Sequence, residues 1–123
     1  YILPNAELGQ ALEWAAAAFS SLVAYRWLGG GWGLFAILVL APDLSMLGYL
    51  SGPRAGAVAY NIFHTVLGPA AAAALGLVLD DMLLQHVAAV WMFHIAFDRM
   101  LGYGLKLPTA FRDTHLGRIG RDP

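Results

Sequence analysis

Long apolar runs separated by short breaks dominate the hydropathy pattern of the chain. The first run covers residues 8–28 and ends at "LGGGWG", and the second covers 32–50 and ends at "SGPRAG". The third covers 55–79 and ends at a pair of aspartates, and the fourth covers 82–101. Each run has about the 20 apolar residues that a helix needs to cross a bilayer, and glycine clusters are typical of turns. The pattern therefore predicts four transmembrane helices.

Two of these runs contain a proline. Pro42 interrupts the second run and directly precedes Asp43, while Gly68-Pro69 lies inside the third run and predicts a kink there. Proline has no N–H and so removes one backbone hydrogen bond from a helix. We expect Pro42 to free a carbonyl that faces the surroundings of Asp43.

The overall composition supports a membrane protein. Hydrophobic residues make up 59% of the chain and charged residues only 12%, whereas soluble domains carry about 25% charged residues. A chain of this length forms one domain. We predict an all-α fold: a polytopic membrane protein whose single domain, residues 1–123, is a four-helix transmembrane bundle followed by a basic tail at 102–123.

The distribution of basic residues predicts the orientation of the bundle. The side that contains the tail and the loop between the second and third runs carries most of the positive charge, whereas Arg26 is the only basic residue on the opposite side. Cytoplasmic loops are enriched in Lys and Arg, so both termini are expected in the cytoplasm. The basic residues on this inner side are Arg54, Lys106, Arg112, Arg118 and Arg121.

Net charge and cysteine content exclude several classes of partner and site. The formal net charge is -1, which leaves no basic surface able to neutralise a nucleic-acid backbone. The chain has no cysteines, so disulfides and thiolate metal sites are excluded. The lipid bilayer is the expected partner, together with other membrane subunits or further copies of the chain.

Ionisable residues inside the spans lie at similar depths. From the cytoplasmic ends and a rise of about 1.5 Å per residue, Glu13 lies roughly 8 Å deep, Asp43 and His94 roughly 10 Å, and His64 roughly 14 Å. Asp98 lies nearer the surface, on the same side. Ionisable groups at such depths are costly and usually functional. All four spans thus contribute an acid or an imidazole to one leaflet.

The spacing of these residues suits a metal site. His94 and Asp98 are four residues apart, and Asn61 and His64 are three apart, so each pair shares one helix face. Imidazoles and carboxylates that converge from several helices form the ligand sets of metal sites in bundles, and such ligands suit zinc, iron or manganese. We therefore predict the following metal ligands, with Asn61 in support: His64, His94, Asp43, Asp98 and Glu13.

Each of these residues also has an interpretation without a metal. Asp98 can pair with a basic side chain near the interface, namely Arg99, Arg54 or Lys106. His64 alone is more typical of a hydrogen-bonded core histidine, and Glu13 can lie close enough to the interface to need no partner. In the tail, Asp113 and His115 form an Asp-x-His pair that either caps the site or is solvated.

Two long motifs resemble a known family. The runs "APDLSMLGYLSGPRAGAVAYNIFHT" and "HIAFDRMLGYGLKLPTAFRDTHLGRIG" are similar to small bacterial integral membrane proteins grouped as domain of unknown function 4260. The resemblance implies a four-helix protein of the bacterial cytoplasmic membrane, and it implies no activity. The positions that match the polar motif residues of the family are Glu13, Asp43, Asn61, His64, His94, Asp98, Asp113 and His115.

Two functions remain open at this point. A metal at the predicted site would activate water for hydrolysis near the cytoplasmic face, and a site at this depth is compatible with a lipid or lipid-linked substrate. Alternatively, the chain is a non-catalytic accessory subunit of a larger membrane complex, such as a photosynthetic or respiratory assembly, and the polar cluster fixes the helix register. A transporter is disfavoured because the outer leaflet lacks a polar lining.

Overall fold

The described part of the chain is almost entirely helical. A computed structural model describes residues 6–101 and the short segments 113–114 and 117–118. The two short segments, Asp113–Thr114 and Gly117–Arg118, pair as an antiparallel two-residue ladder. Apart from this ladder, all regular elements of the described residues are helices, which confirms the predicted all-α class. The helices are α1 (Ala6–Trp27), α2 (Trp32–Leu40), a 3₁₀ helix (Ala41–Ser51), α3 (Pro53–His64), α4 (Leu67–Val78) and α5 (Met82–Met100).

The helices follow the four apolar runs of the sequence. The first and fourth runs each form one helix, α1 and α5, while the second run forms α2 and the 3₁₀ helix and the third forms α3 and α4. The predicted basic tail, 102–123, lies outside the described residues apart from the short ladder.

Two continuous helical segments are long and apolar enough to cross a membrane. They are Trp32–Ser51, with a mean hydropathy of 1.8, and Pro53–Val78, with a mean hydropathy of 1.5. Only 11% and 17% of their apolar windows are buried, whereas the core helix of a soluble protein is mostly buried. The helices α1 and α5 do not meet the same criterion; both carry charged residues.

Pro42 explains the change from α2 to the 3₁₀ helix. The N–H of Ala41 already donates to the carbonyl of Leu38, three residues before it. In this i→i+3 pattern the carbonyl of Val39 would accept from residue 42, but Pro42 has no N–H to donate. The proline thus leaves the carbonyl of Val39 available to another donor.

Pro69 explains the break between α3 and α4. A proline ring in a helix collides with the carbonyl of the residue four positions earlier, which here is Thr65. Thr65 adopts an extended conformation with ψ 152° and ends α3. The predicted kink at Gly68-Pro69 is therefore a break at Thr65, and Pro69 lies in the first turn of α4, where its missing N–H costs little.

Side chains of α5 satisfy the carbonyls that this break exposes. Trp91 Nε1 donates to the carbonyl of Phe63 at 2.7 Å, and Arg99 Nη2 donates to the carbonyl of His64 at 3.0 Å. Non-helical backbone at membrane depth is tolerated where such partners are present. These two hydrogen bonds from α5 therefore stabilise the break between α3 and α4.

Helix α5 is the centre of the packing. It packs against α1, α2 and α4, and it contributes the fully buried side chains of Val90 and Ile95. The 3₁₀ helix packs mainly against α3, where the Tyr49 ring covers Gly56 so closely that a Cβ at residue 56 would lie 2.1 Å from it. The hydrogen bonds of Trp91 and Arg99 to the end of α3 join α5 to this pair, so the 3₁₀ helix, α3 and α5 lie together.

The turn between α1 and α2 is held by one side chain of α1 and one from the first turns of α5. Tyr25 is fully buried, and its hydroxyl donates to the carbonyl of Gly31 at 2.6 Å. His86 Nε2 donates to the carbonyl of Leu28 at 3.0 Å, and its ring packs edge-on against Tyr25. His86 therefore holds the turn between α1 and α2. It lies about two helical turns before His94, the other histidine of α5.

Candidate metal centre

Four acidic and imidazole side chains converge from three elements. Asp43 comes from the 3₁₀ helix, His64 from the last turn of α3, and His94 and Asp98 from α5. One nitrogen or oxygen atom of each lies within 4.8 Å of the corresponding atoms of the other three. The fold thus brings together four of the five predicted metal ligands.

The distances among these atoms match the ligand shell of one small cation. His94 Nε2 lies 3.1 Å from Asp43 Oδ1 and 3.2 Å from Asp98 Oδ2. His64 Nε2 lies 3.3 Å from Asp43 Oδ1, 3.7 Å from Asp98 Oδ2 and 3.1 Å from His94 Nε2. Metal–ligand bonds of about 2.0–2.1 Å in a tetrahedron separate the ligands by about 3.3 Å. The arrangement has the dimensions of such a site.

Backbone carbonyls determine which nitrogen of each histidine faces the cluster. His64 Nδ1 donates to the carbonyl of Tyr60 at 2.8 Å, and His94 Nδ1 donates to the carbonyl of Val39. A neutral imidazole that carries its proton on Nδ1 has a lone pair on Nε2. Metal-binding histidines are commonly oriented by such hydrogen bonds from the second nitrogen.

With both histidines neutral, the cluster is a set of acceptors without a donor of its own. Two Nε2 lone pairs face each other at 3.1 Å, and two carboxylate oxygens lie beside them. Acceptors at this distance repel one another unless a cation or shared protons lie between them. The chemistry of the set fits a divalent metal, for which neutral imidazoles and carboxylates are ordinary ligands.

Local sequence features place each ligand. Asp98 is four residues after His94 and so shares its helix face. His64 follows Tyr60 by the same interval, and the two rings stack with centroids 3.6 Å apart and planes within 4°. Pro42 fixes the backbone directly before Asp43. Because it has no N–H, the carbonyl of Val39 stays available to accept from His94 Nδ1.

The centre is buried on one side and accessible on the other. His64 and His94 are only 2% and 6% exposed, whereas the side chain of Asp98 is 18% exposed and that of Asp43 is 39% exposed. The edge formed by Asp43 is thus the side from which a water molecule or a substrate can reach the centre.

The remaining predicted residues are placed differently. Glu13 is exposed on α1, and it is not part of the four-residue cluster. Asn61 is half-buried on α3, three residues before His64. The side chain of Asp113 and the whole of His115 lie outside the described residues, so their predicted capping role stays a prediction.

Arg99 supports the centre without joining it. One interpretation of the sequence paired this arginine with Asp98, but its guanidinium donates to the carbonyl of His64 and lies 5.3 Å from the ring of Trp14. A cation at the carbonyl end of α3 stabilises the end of that helix. Arg99 therefore anchors the backbone that carries His64, a role that residue spacing could not reveal.

The comparisons with known proteins identify a family. The family model described as Domain of unknown function (DUF4260) matches residues 8–119. The chain therefore belongs to this family, as its two long motifs predicted. No curated protein and no solved structure matches the chain.

Proposed function

We propose that this member of the DUF4260 family is a four-span membrane protein that uses a divalent metal, held near the cytoplasmic face, to hydrolyse its substrate. Asp43, His64, His94 and Asp98 are the proposed ligands. The observation that carries the proposal is the convergence of two Nε2 atoms, each oriented by a backbone carbonyl, and two carboxylate oxygens within 4.8 Å of one another.

The outer surface of the helices supports membrane embedding. Large apolar side chains are largely exposed on helices from all four runs, a surface that soluble monomers avoid. With both termini in the cytoplasm of a bacterial cell, the metal centre lies in the inner leaflet and the turn at Gly29–Gly31 lies outside. Representative side chains are Phe19, Ile37, Ile62 and Leu83.

Zinc, iron and manganese all suit the proposed centre. Two imidazoles and two carboxylates are within the usual ligand range of zinc, whose coordination must expand to five to admit a water, while iron and manganese accept the same ligands with further open positions. All three metals lower the pKa of a bound water.

Asp43 is the proposed base in hydrolysis. Its Oδ1 contacts both histidines, so Oδ2 of the same carboxylate can accept a proton from a water that enters by the exposed edge. The resulting hydroxide adds to the electrophilic carbon or phosphorus atom of an ester or amide. The proton then leaves with the departing alcohol or amine.

Metal analysis of the gently purified protein tests the proposal. We expect one divalent metal per chain by mass spectrometry in the wild-type protein, and its loss in His64→Ala and Asp98→Ala, because each variant removes one ligand. Metal-free wild-type protein that also fails to take up added zinc, iron or manganese would refute the proposal.

Two variants serve as matched controls. His86→Ala removes a half-buried histidine whose partner is the carbonyl of Leu28, and Glu13→Gln removes an acid that lies outside the cluster. Both should keep the metal. If His86→Ala loses it to the same extent as His64→Ala, the loss reflects general destabilisation and not a removed ligand.

The outward-facing apolar surface also supports the second function, an accessory subunit of a larger membrane complex. In that case the cluster fixes the helix register, and the surfaces of α1 and α4 pack on partner helices. Native electrophoresis of mildly solubilised membranes separates the two functions. Migration at the size of one chain or a small homo-oligomer contradicts the subunit function, and co-migration with a large complex supports it.

A further inference from the structure

An apolar cavity lies directly beside the candidate metal centre. It has a volume of about 180 Å³ and is enclosed by α2, the start of the 3₁₀ helix, α3 and α5. Its lining side chains are apolar or aromatic: Leu38, Ala41, Pro42, Phe63, Val87 and Trp91.

The cavity and the metal centre share the elements that form them. Pro42 directly precedes Asp43, and Phe63 directly precedes His64. On α5, Val87 and Trp91 continue the stripe of His94 and Asp98 along one helix face, since these positions are spaced by three or four residues. The apolar cavity therefore adjoins the polar centre along α5.

The direction from the centre to the cavity follows that of an inner-leaflet lipid. From Asp98 to Val87, α5 rises by about 16 Å, away from its cytoplasmic end and toward the middle of the bilayer. An inner-leaflet amphiphile likewise has its polar head at the cytoplasmic face and its hydrocarbon chain toward the middle. Phe63 and Ala41 are exposed at the mouth of the cavity, which therefore opens sideways to the surrounding lipid.

We propose that this cavity binds the hydrocarbon chain of an inner-leaflet amphiphile whose polar head group is held at the metal, so that the substrate is a lipid. The proposal rests on the metal-dependent function above and specifies its substrate class. The apolar lining contributes affinity for the chain, and the position of the cavity places the head-group bond at the exposed edge of Asp43.

The test compares two metal-binding head groups that differ in their chains. Octanohydroxamate and acetohydroxamate are titrated into the full-length, Co²⁺-loaded protein in a neutral detergent, and binding is followed by the visible absorption of Co²⁺. We expect octanohydroxamate to bind about tenfold more tightly or better, because several methylene groups enter the cavity. Equal affinities of the two hydroxamates would overturn the proposal.

Cavity-filling variants test where the hydrocarbon chain binds. Val87→Phe and Ala41→Phe each add a ring to the cavity from a different element, and we expect both to abolish the preference for the longer chain while the Co²⁺ spectrum without hydroxamate stays unchanged. A preference retained in both variants would overturn the proposal, since the chain would then bind elsewhere.

A matched control uses the larger apolar groove on the opposite side of α5. This groove of about 430 Å³ is lined in part by Ala89 and Met92, and Ala89→Phe should leave the chain preference intact. Because detergent partitioning of octanohydroxamate is the same for all variants, it cannot produce a difference among them. If only Ala89→Phe loses the preference for octanohydroxamate, the hydrocarbon chain binds in this groove. That result would overturn its assignment to the smaller cavity.

The outcome also separates this inference from the proposed function. A protein that takes up Co²⁺ but shows no chain preference contradicts the lipid substrate and leaves the metal centre intact. A protein that takes up no Co²⁺ contradicts both.

Discussion

At the scale of single residues, Gly56 determines how closely the 3₁₀ helix approaches α3. A Cβ at this position would lie 2.1–2.5 Å from three atoms of the Tyr49 ring, so Gly56→Ala must displace the ring or the helix. We expect this variant to lower the free energy of unfolding by about 1–3 kcal/mol, the usual cost of overpacking. Thermal unfolding in detergent, followed by circular dichroism, measures the change.

Gly9→Ala is the matched control for this substitution. Gly9 lies in α1, and an added Cβ meets no atom within 4 Å. Alanine is also the better helix former, so this variant should be unchanged or slightly more stable. Equal destabilisation of the two variants would contradict the packing argument.

At the scale of the elements, Pro42 links the 3₁₀ helix to the metal centre. Alanine at residue 42 restores an N–H that competes with His94 Nδ1 for the carbonyl of Val39, so the ring loses the bond that orients it. We expect Pro42→Ala to weaken metal binding by about 10–100-fold, as is typical when the second nitrogen of a metal-binding histidine loses its partner. Competition with a chelating dye measures the affinity.

Pro53→Ala is the control for this prediction. Pro53 is the first residue of α3, where the N–H has no partner in the helix. Its replacement should leave metal affinity unchanged. An equal loss of affinity in the two variants would show that the effect comes from general loosening and not from the carbonyl of Val39.

The apolar runs and the depth of the ionisable residues made most of this arrangement predictable. Residue depth along four helices was enough to group Asp43, His64, His94 and Asp98, because long helices have a fixed rise. Glu13 was grouped with them because depth says nothing about which face of α1 points inward, and the alanine-rich sequence of α1 offers no clear apolar stripe. The helix break was predicted three to four residues too late, since a proline disturbs the carbonyl four residues before it.

At the scale of the whole molecule, the orientation in the membrane can be tested with introduced cysteines, since the chain has none of its own. We expect a membrane-impermeant maleimide to label Gly31→Cys in intact spheroplasts and to label Ser51→Cys only after lysis. Gly31 is exposed in the turn before α2, and Ser51 is exposed at the end of the 3₁₀ helix, toward the opposite end of the bundle. The reverse pattern would contradict cytoplasmic termini.

Ile37→Cys tests membrane embedding itself. The side chain of Ile37 is 71% exposed on α2, so in water it would react readily. Within lipid it should react neither before nor after lysis. Rapid labelling at this position would show that α2 faces water and would contradict a transmembrane α2.

The ligands of the candidate metal centre also have a consequence for biogenesis. His64 and His94 are separated by 30 residues, and Asp43 and His94 by 51, so a metal would join segments that leave the ribosome at different times. Asp98 belongs to α5, the last of the described helices, and the centre is incomplete until that helix has been inserted. Metal loading would then follow the insertion of α5, and nascent chains that stop before α5 would remain unloaded and be removed by proteolysis.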